Sequence, residues 1–283
     1  MEQENYLISL IRETYVNPSP SQSEILLQWK ELEKSPEIYN LLVKIITNST
    51  YDQTIRVSAL LVLKNLIERT QFIPELLLPF IFSLLLNDKQ PIRKAVSSVI
   101  PTAIKLLPNP QSVLEEMHKT MKAYSTVPEV IITGCNIIED FIELNKETYV
   151  LKLIEVVCMF IVNYENVSLV VLAKLLDTYA NYIFNSYSAS ISDILPHLCK
   201  ITAQCTEATI VKSCYSILSN VYDKDKHILL KLFPNLINDV VINSMKKNYG
   251  CQLSACEFLL HILEEVNSID SSWLAKLENN LQQ

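Results

Sequence analysis

Six stretches of this chain share one frame, and their spacing is the strongest constraint on its fold. They are RVSALLVL around Ala59, RKAVSSVI around Val96, IITGCNII around Gly134, VVLAKLLD around Ala173, IVKSCYSIL around Ser213 and QLSACEFLL around Ala255. Each puts a small or short side chain at its middle and a bulky apolar run after it. Successive anchors stand 37, 38, 39, 40 and 42 residues apart. The local period is helical: Ile55, Ala59, Val62, Leu63 and Leu66 fall on one face. A small residue at the anchor has a packing reason. The helix must approach its neighbours closely, and a large side chain would hold them apart.

Each anchored helix follows another apolar helix. The first helices read as 37–48, 73–87, 111–123, 147–163, 190–204 and 227–246. The second helices read as 52–69, 90–107, 128–144, 166–184, 207–222 and 250–266. A further pair precedes them at 2–15 and 20–34, and residues 271–283 begin one more helix. A two-helix unit of about 40 residues is the HEAT and armadillo class. The expectation is an all-α HEAT-repeat α-solenoid of about seven repeats, running without a Gly/Ser linker as one continuous array over 1–283. The last helix has no partner, so apolar surface near Leu274 and Leu277 is expected to be open. That predicts a fragment, or a C-terminal end that docks on something.

Composition narrows the function. Only Gly134 and Gly250 are present, too few for architectures built on tight hairpins or phosphate-cradling loops. Prolines such as Pro36, Pro74, Pro91 and Pro128 fall between apolar segments or at their starts, where a helix tolerates them. The net charge of −7 and pI of about 5.2 do not suit a nucleic-acid backbone. Seven cysteines without a CxxC pair read as reduced, core-filling thiols of an intracellular protein. The N-terminus has no signal-peptide pattern. The longest apolar run, 76–86, is well short of the about 20 residues of a membrane span.

Residues 36–70 carry a more specific pattern. Pro36-Glu37-Ile38-Tyr39-Asn40-Leu41-Leu42 is followed by Arg56-Val57-Ser58-Ala59 and then Leu63-Lys64-Asn65. The order proline, Arg-x-x-Ala, Leu-Lys-Asn resembles the N-terminal domain of the importin-beta family of nuclear transport receptors, with the nearest likeness to transportin. Pro91-Ile92-Arg93-Lys94-Ala95 and the later Ala255-Cys256-Glu257-Phe258 extend the likeness. The detailed resemblance covers about 1–110. It implies a non-catalytic receptor without cofactor, working in cytoplasm and nucleus and at the nuclear pore. Its implied partners are Ran-GTP on the second helices near the N-terminus, FG-repeat nucleoporins in grooves between first helices, and protein cargo. Family members run to roughly twenty repeats, against about seven here, so the resemblance implies the Ran-facing arch and little of the cargo arch.

Lys64 and Asn65 match that motif, which implies a place at or beside the Ran-facing surface. They could equally be architectural, Asn65 bonding nearby backbone and Lys64 solvated. Glu139, Asp140 and Glu143 cluster on one helix, with Glu139 and Glu143 one turn apart. They form either a carboxylate patch for a basic partner or a solvated face. Trp29 and Tyr39 read as core or groove-edge aromatics. His197, Cys199 and Cys205 fit no zinc spacing, so no metal site is expected. Cys256 and His261 lie about 140° apart on a helix, which does not suit a nucleophile and base. The expected function is therefore protein binding in nuclear transport, with allosteric coupling between Ran and cargo. The alternative is a general HEAT scaffold outside transport. An enzymatic helical-repeat protein such as a DNA glycosylase should be basic, and this chain is acidic.

Overall fold

The computed structural model describes residues 2–16, 22–35, 37–74, 77–87, 89–186, 191–225, 229 and 240–265. The fold is all-α, of the helical-repeat (solenoid) class, and no strand occurs among the described residues. Its helices are α1 (Glu2–Ile11), α2 (Gln22–Leu32), α3 (Ile38–Thr47), α4 (Gln53–Thr70), α5 (Leu77–Ser83), α6 (Gln90–Ile104) and α7 (Gln111–Ala123). They continue as α8 (Pro128–Glu143), α9 (Leu151–Val162), α10 (Leu169–Asn185), α11 (Ile191–Gln204), α12 (Ala208–Lys224), α13 (Ile242–Met245) and α14 (Tyr249–Glu265). The six anchored second helices are α4, α6, α8, α10, α12 and α14, each within a few residues of its expected span. Most of the expected first helix 227–246, and the expected last helix with Leu274 and Leu277, lie outside the described residues.

The chain divides into two compact units, 1–116 with 129–137, and 117–128 with 138–283. In the first unit α3 packs on α4, α4 on α6 and α5 on α6, while α1 lies against α3 and α4. In the second, α9 packs on α10, α10 on α12, α11 on α12 and α12 on α14. First helices also meet first helices there, α9 with α11 and α11 with α13. Both units thus bury apolar stripes by stacking like on like. Ile55, Ala59, Val62, Leu63 and Leu66, read from sequence as one face, are all buried.

Two ends differ from the sequence expectation. Residues 73 and 74 lie outside helix α5, which is described over Leu77–Ser83 and finishes as a 3₁₀ turn, Leu84–Leu86. Helix α1 passes into a π-helical segment, Arg12–Val16. Hydrophobic periodicity marks a helix but not its last turn, where hydrogen-bond pattern changes at little cost.

The residue three before the anchor explains the Arg-x-x-Ala pattern. Arg56 is buried and donates from Nε to the Ile46 carbonyl at 2.8 Å. Arg93 donates from Nη1 to the Asn87 carbonyl at 2.9 Å. Gln252 donates from Nε2 to the carbonyls of Met245 and Lys247, both at 3.0 Å. Each side chain reaches back to the end of its own first helix, where carbonyls lack intrahelical partners. The position is therefore a C-terminal cap supplied from the second helix. The small anchor one turn later lets the two helices close on it. In the intervening repeats Ile131, Val170 and Ile210 stand there. In one of these Lys247 does similar work, donating from Nζ to the carbonyls of Thr202 and Cys205 at 2.5 and 2.7 Å, at the end of α11.

Candidate protein-binding surface

In the first unit a groove of about 290 Å³ opens between the second helices α2 and α4 and the π-helical segment. Trp29 forms its floor. The ring is buried, and its Nε1 donates to Thr14 Oγ1 at 2.9 Å. Thr14 Oγ1 in turn donates to the Leu10 carbonyl at 2.7 Å. This chain of bonds holds the indole without a polar orphan. Leu26, 57% exposed, stands at the rim. Asn65 lines the opposite wall from α4. Its Nδ2 lies 3.3 Å from Tyr15 Oη, to which it donates. Arg69 closes one end, with Nη2 2.5 Å from Glu33 Oε1 and Nε donating to the Asn65 carbonyl at 3.3 Å. Lys64 points along the helix to Glu68, at 3.5 Å. Lysine preceding glutamate is the weaker order for such a pair, and Lys64 is half-buried while Glu68 is exposed. The groove thus offers an exposed leucine and an arginine, with a polar amide and carboxylate at its edge.

A second concavity of about 220 Å³ lies between the first helices α1 and α3 and the end of α2. Tyr6, Leu32, Ile38 and Leu41 supply its apolar walls, and Gln28 and Glu31 its polar edge. Tyr39, by contrast, is buried, and its hydroxyl donates to the Phe72 carbonyl at 3.1 Å.

The carboxylates of α8 separate in the structure. Glu139 is engaged within the fold: Oε2 accepts from Lys174 Nζ at 2.5 Å, and Oε1 from Thr178 Oγ1 at 2.7 Å. Asp140 is half-buried and Glu143 exposed. A fourth carboxylate on that helix escaped the sequence reading. Glu129 is only 3% exposed and accepts from Arg93 Nε at 3.1 Å. Burial pushes its carboxyl up, but its own backbone N–H, Arg93 and Gln90 outweigh burial and hold it below its ordinary value. The second residue of a helix, beside unpaired N–H groups, is a favourable place for that charge. The signal was present in sequence: Glu129 follows Pro128 at a helix start, and Arg93 stands three residues before an anchor.

His197 and Cys199 lie half-buried on α11, and Cys205 just after it. Among the described residues no group of three or more histidine, cysteine or acidic side chains could hold a metal. His261 Nε2 lies 2.8 Å from Asp223 Oδ1, while Cys256 Sγ lies 3.8 Å from Met245 Sδ. Burial pushes the Cys158 and Cys214 thiols up to about 11 and about 12, the opposite of what a reactive cysteine needs. No helix among the described residues is long and apolar enough to cross a membrane.

Compared with known protein families, residues 24–100 match the importin-beta N-terminal domain. The matched segment begins in α2 and ends in α6, and holds Leu26, Trp29, Asn65, Glu68 and Arg69 of the groove. No curated protein matches the chain.

Proposed function

We propose that this chain acts in nuclear transport as a receptor of the importin-beta type, transportin-like in its repeats, and without catalysis or cofactor. One observation carries the reading. The segment similar to the importin-beta N-terminal domain holds most of an open groove on second helices, where that resemblance puts Ran-GTP. In this reading Leu26 and Trp29 give the apolar contact, and Asn65, with Lys64 beside it, the polar one. The concavity at Tyr6 and Leu41 takes an aromatic side chain of an FG-repeat nucleoporin. The open carboxylate of Glu143, with Asp140 and Glu139 behind it, meets a basic surface of a partner or of protein cargo. Ran and cargo are coupled through the array, which works in cytoplasm and nucleus and passes the nuclear pore. The importin-like region extends over 1–110, and the repeats over 1–283 act as one array.

The test is a pull-down of this chain with Ran carrying a GTP analogue beside Ran carrying GDP. Preferential capture of the GTP form is expected, and Leu26→Glu should weaken it by about tenfold or more, as loss of an apolar anchor does. Leu26 is exposed, so the helix should survive the change, as circular dichroism can check. Equal or absent capture by a folded sample would reject transport and leave the general HEAT scaffold as the function.

A further inference from the structure

The end of α1 departs from its own pattern. The buried residues of α1 are Leu7, Ile8, Leu10 and Ile11. An α-helix would continue that stripe through Thr14 and Tyr15, one turn beyond Leu10 and Ile11. The chain instead widens into the π-helical segment Arg12–Val16, none of whose residues is buried. A π turn bonds i to i+5 rather than i+4, so its residues fall behind the α-helical frame. Thr14 is left half-buried and Tyr15 39% exposed. An aromatic side chain on the core frame thus stands at the groove between α2 and α4.

Two hydrogen bonds tie this segment to the helices beside it. Trp29 Nε1 of α2 donates to Thr14 Oγ1 at 2.9 Å. Asn65 Nδ2 of α4 donates to Tyr15 Oη at 3.3 Å, which is long for such a bond. Arg12 adds a charge attraction to Asp52, the N-cap of α4. Both hydrogen bonds end on residues that line the groove, and so does Val62. Trp29 and Val62 are nevertheless only 5% and 3% exposed. A rare helix form without a buried residue is held here by polar ties to a groove, and the weaker tie is the one on Asn65.

We propose that Tyr15 is a gate on this groove, moved by exchange of residues 12–16 between π and α windings. In the π form the phenol reaches Asn65 and closes the groove over Val62 and Trp29. In the α form Tyr15 returns to the Leu7–Ile11 stripe, Asn65 is released and the inner wall opens. The two forms are close in free energy, because one net hydrogen bond is exchanged for apolar contact of the ring. A partner that brings an acceptor to Asn65 competes with Tyr15 and selects the α form. The gate rests on the reading of this groove as a protein-binding site and adds its regulation: Asn65 is engaged by Tyr15 until the gate opens.

The gate is read on the chain alone. Val62→Cys puts a thiol on the inner wall, and its iodoacetamide labelling, followed by peptide mass spectrometry, reports opening. Tyr15→Phe keeps the ring and removes the hydroxyl. It is expected to speed labelling about three- to tenfold, the population gained when one net hydrogen bond is lost. Asn65→Leu, similar in size and unable to donate, should do the same. The combined variant should be no faster than either, because both remove one bond. The Trp29 indole N–H resonance, observed in a Trp273→Phe background, should shift in both variants, because Thr14 moves with Tyr15. Cys135, buried on α8, should stay slow to label throughout. Unchanged labelling at residue 62, rates that multiply in the combined variant, or an indole resonance that stays in place would overturn the gate. So would equal acceleration at Cys135, which would mean general loosening. Absent capture of Ran by wild type and variants alike would reject the Ran reading, while the labelling still decides the gate.

Discussion

At the scale of single residues, two positions carry more than their composition suggests. A Cβ added at Gly250 would stand 2.6 Å from Ala208 Cβ, closer than two carbons can pack. Neither atom can rotate away, so Gly250→Ala must push the start of α14 off the start of α12. A loss of about 1–3 kcal/mol is expected in urea unfolding, with Ala208→Gly restoring most of it. A simple gain in helix propensity would give the opposite sign. Glu129 is the second position. Its folded carboxyl is held below its ordinary value of 4.5, so the ionised form stabilises the fold. That contribution is fully present above 4.5 and disappears as pH falls through the lower folded value. Wild type should therefore melt above Glu129→Gln at neutral pH, and the gap should close as pH falls below 4.5. A gap that widens in acid would reject the ion pair with Arg93 as its source.

At the scale of helices, the end of each first helix depends on the second. Removing Arg56 strips the Ile46 carbonyl of its guanidinium donor and leaves a gap where a buried side chain stood. Arg56→Ala should cost about 2–3 kcal/mol. Amide exchange should rise first at the last turn of α3, while α4 keeps its protection. Arg56→Lys should recover only part, because a flexible ammonium does not reproduce the fixed guanidinium geometry. Loss confined to α4 would mean that Arg56 serves its own helix instead. Polar ties also link second helices in the later part of the chain. Glu139 binds Lys174 and Thr178, Ser213 Oγ donates to Asp177, and Asn220 Nδ2 donates to the Ala180 carbonyl at 3.2 Å. Glu139 and Asp177, which look like open surface in sequence, are thus engaged with the next repeat.

At the scale of the whole molecule, charge limits the choice of partner. A net charge of −7 opposes a polyanion, because binding one depends on releasing its counterions with basic side chains. The chain should pass through a heparin column at physiological salt. Retention there would show a basic surface that the overall charge conceals and would reopen the nucleic-acid reading. Capture by Ran-GTP tests the opposite side of the same choice, recognition by folded protein surfaces.

The sequence by itself determined the repeat, its frame and, among the described residues, most of the helix spans. Apolar period and the small anchor at Ala59 or Ala255 are local consequences of how a helix meets a neighbour. It also pointed to Lys64 and Asn65 on the helix that lines the groove, because a motif fixes position along a helix. Only the tertiary structure decided what each polar side chain meets. Arg56 and Gln252 meet carbonyls at the end of the preceding helix, Arg93 reaches back to Asn87 and forward to Glu129 of α8, and Glu139 meets the next repeat. Sequence orders residues along one helix, whereas satisfaction and burial depend on what the next helix brings to it.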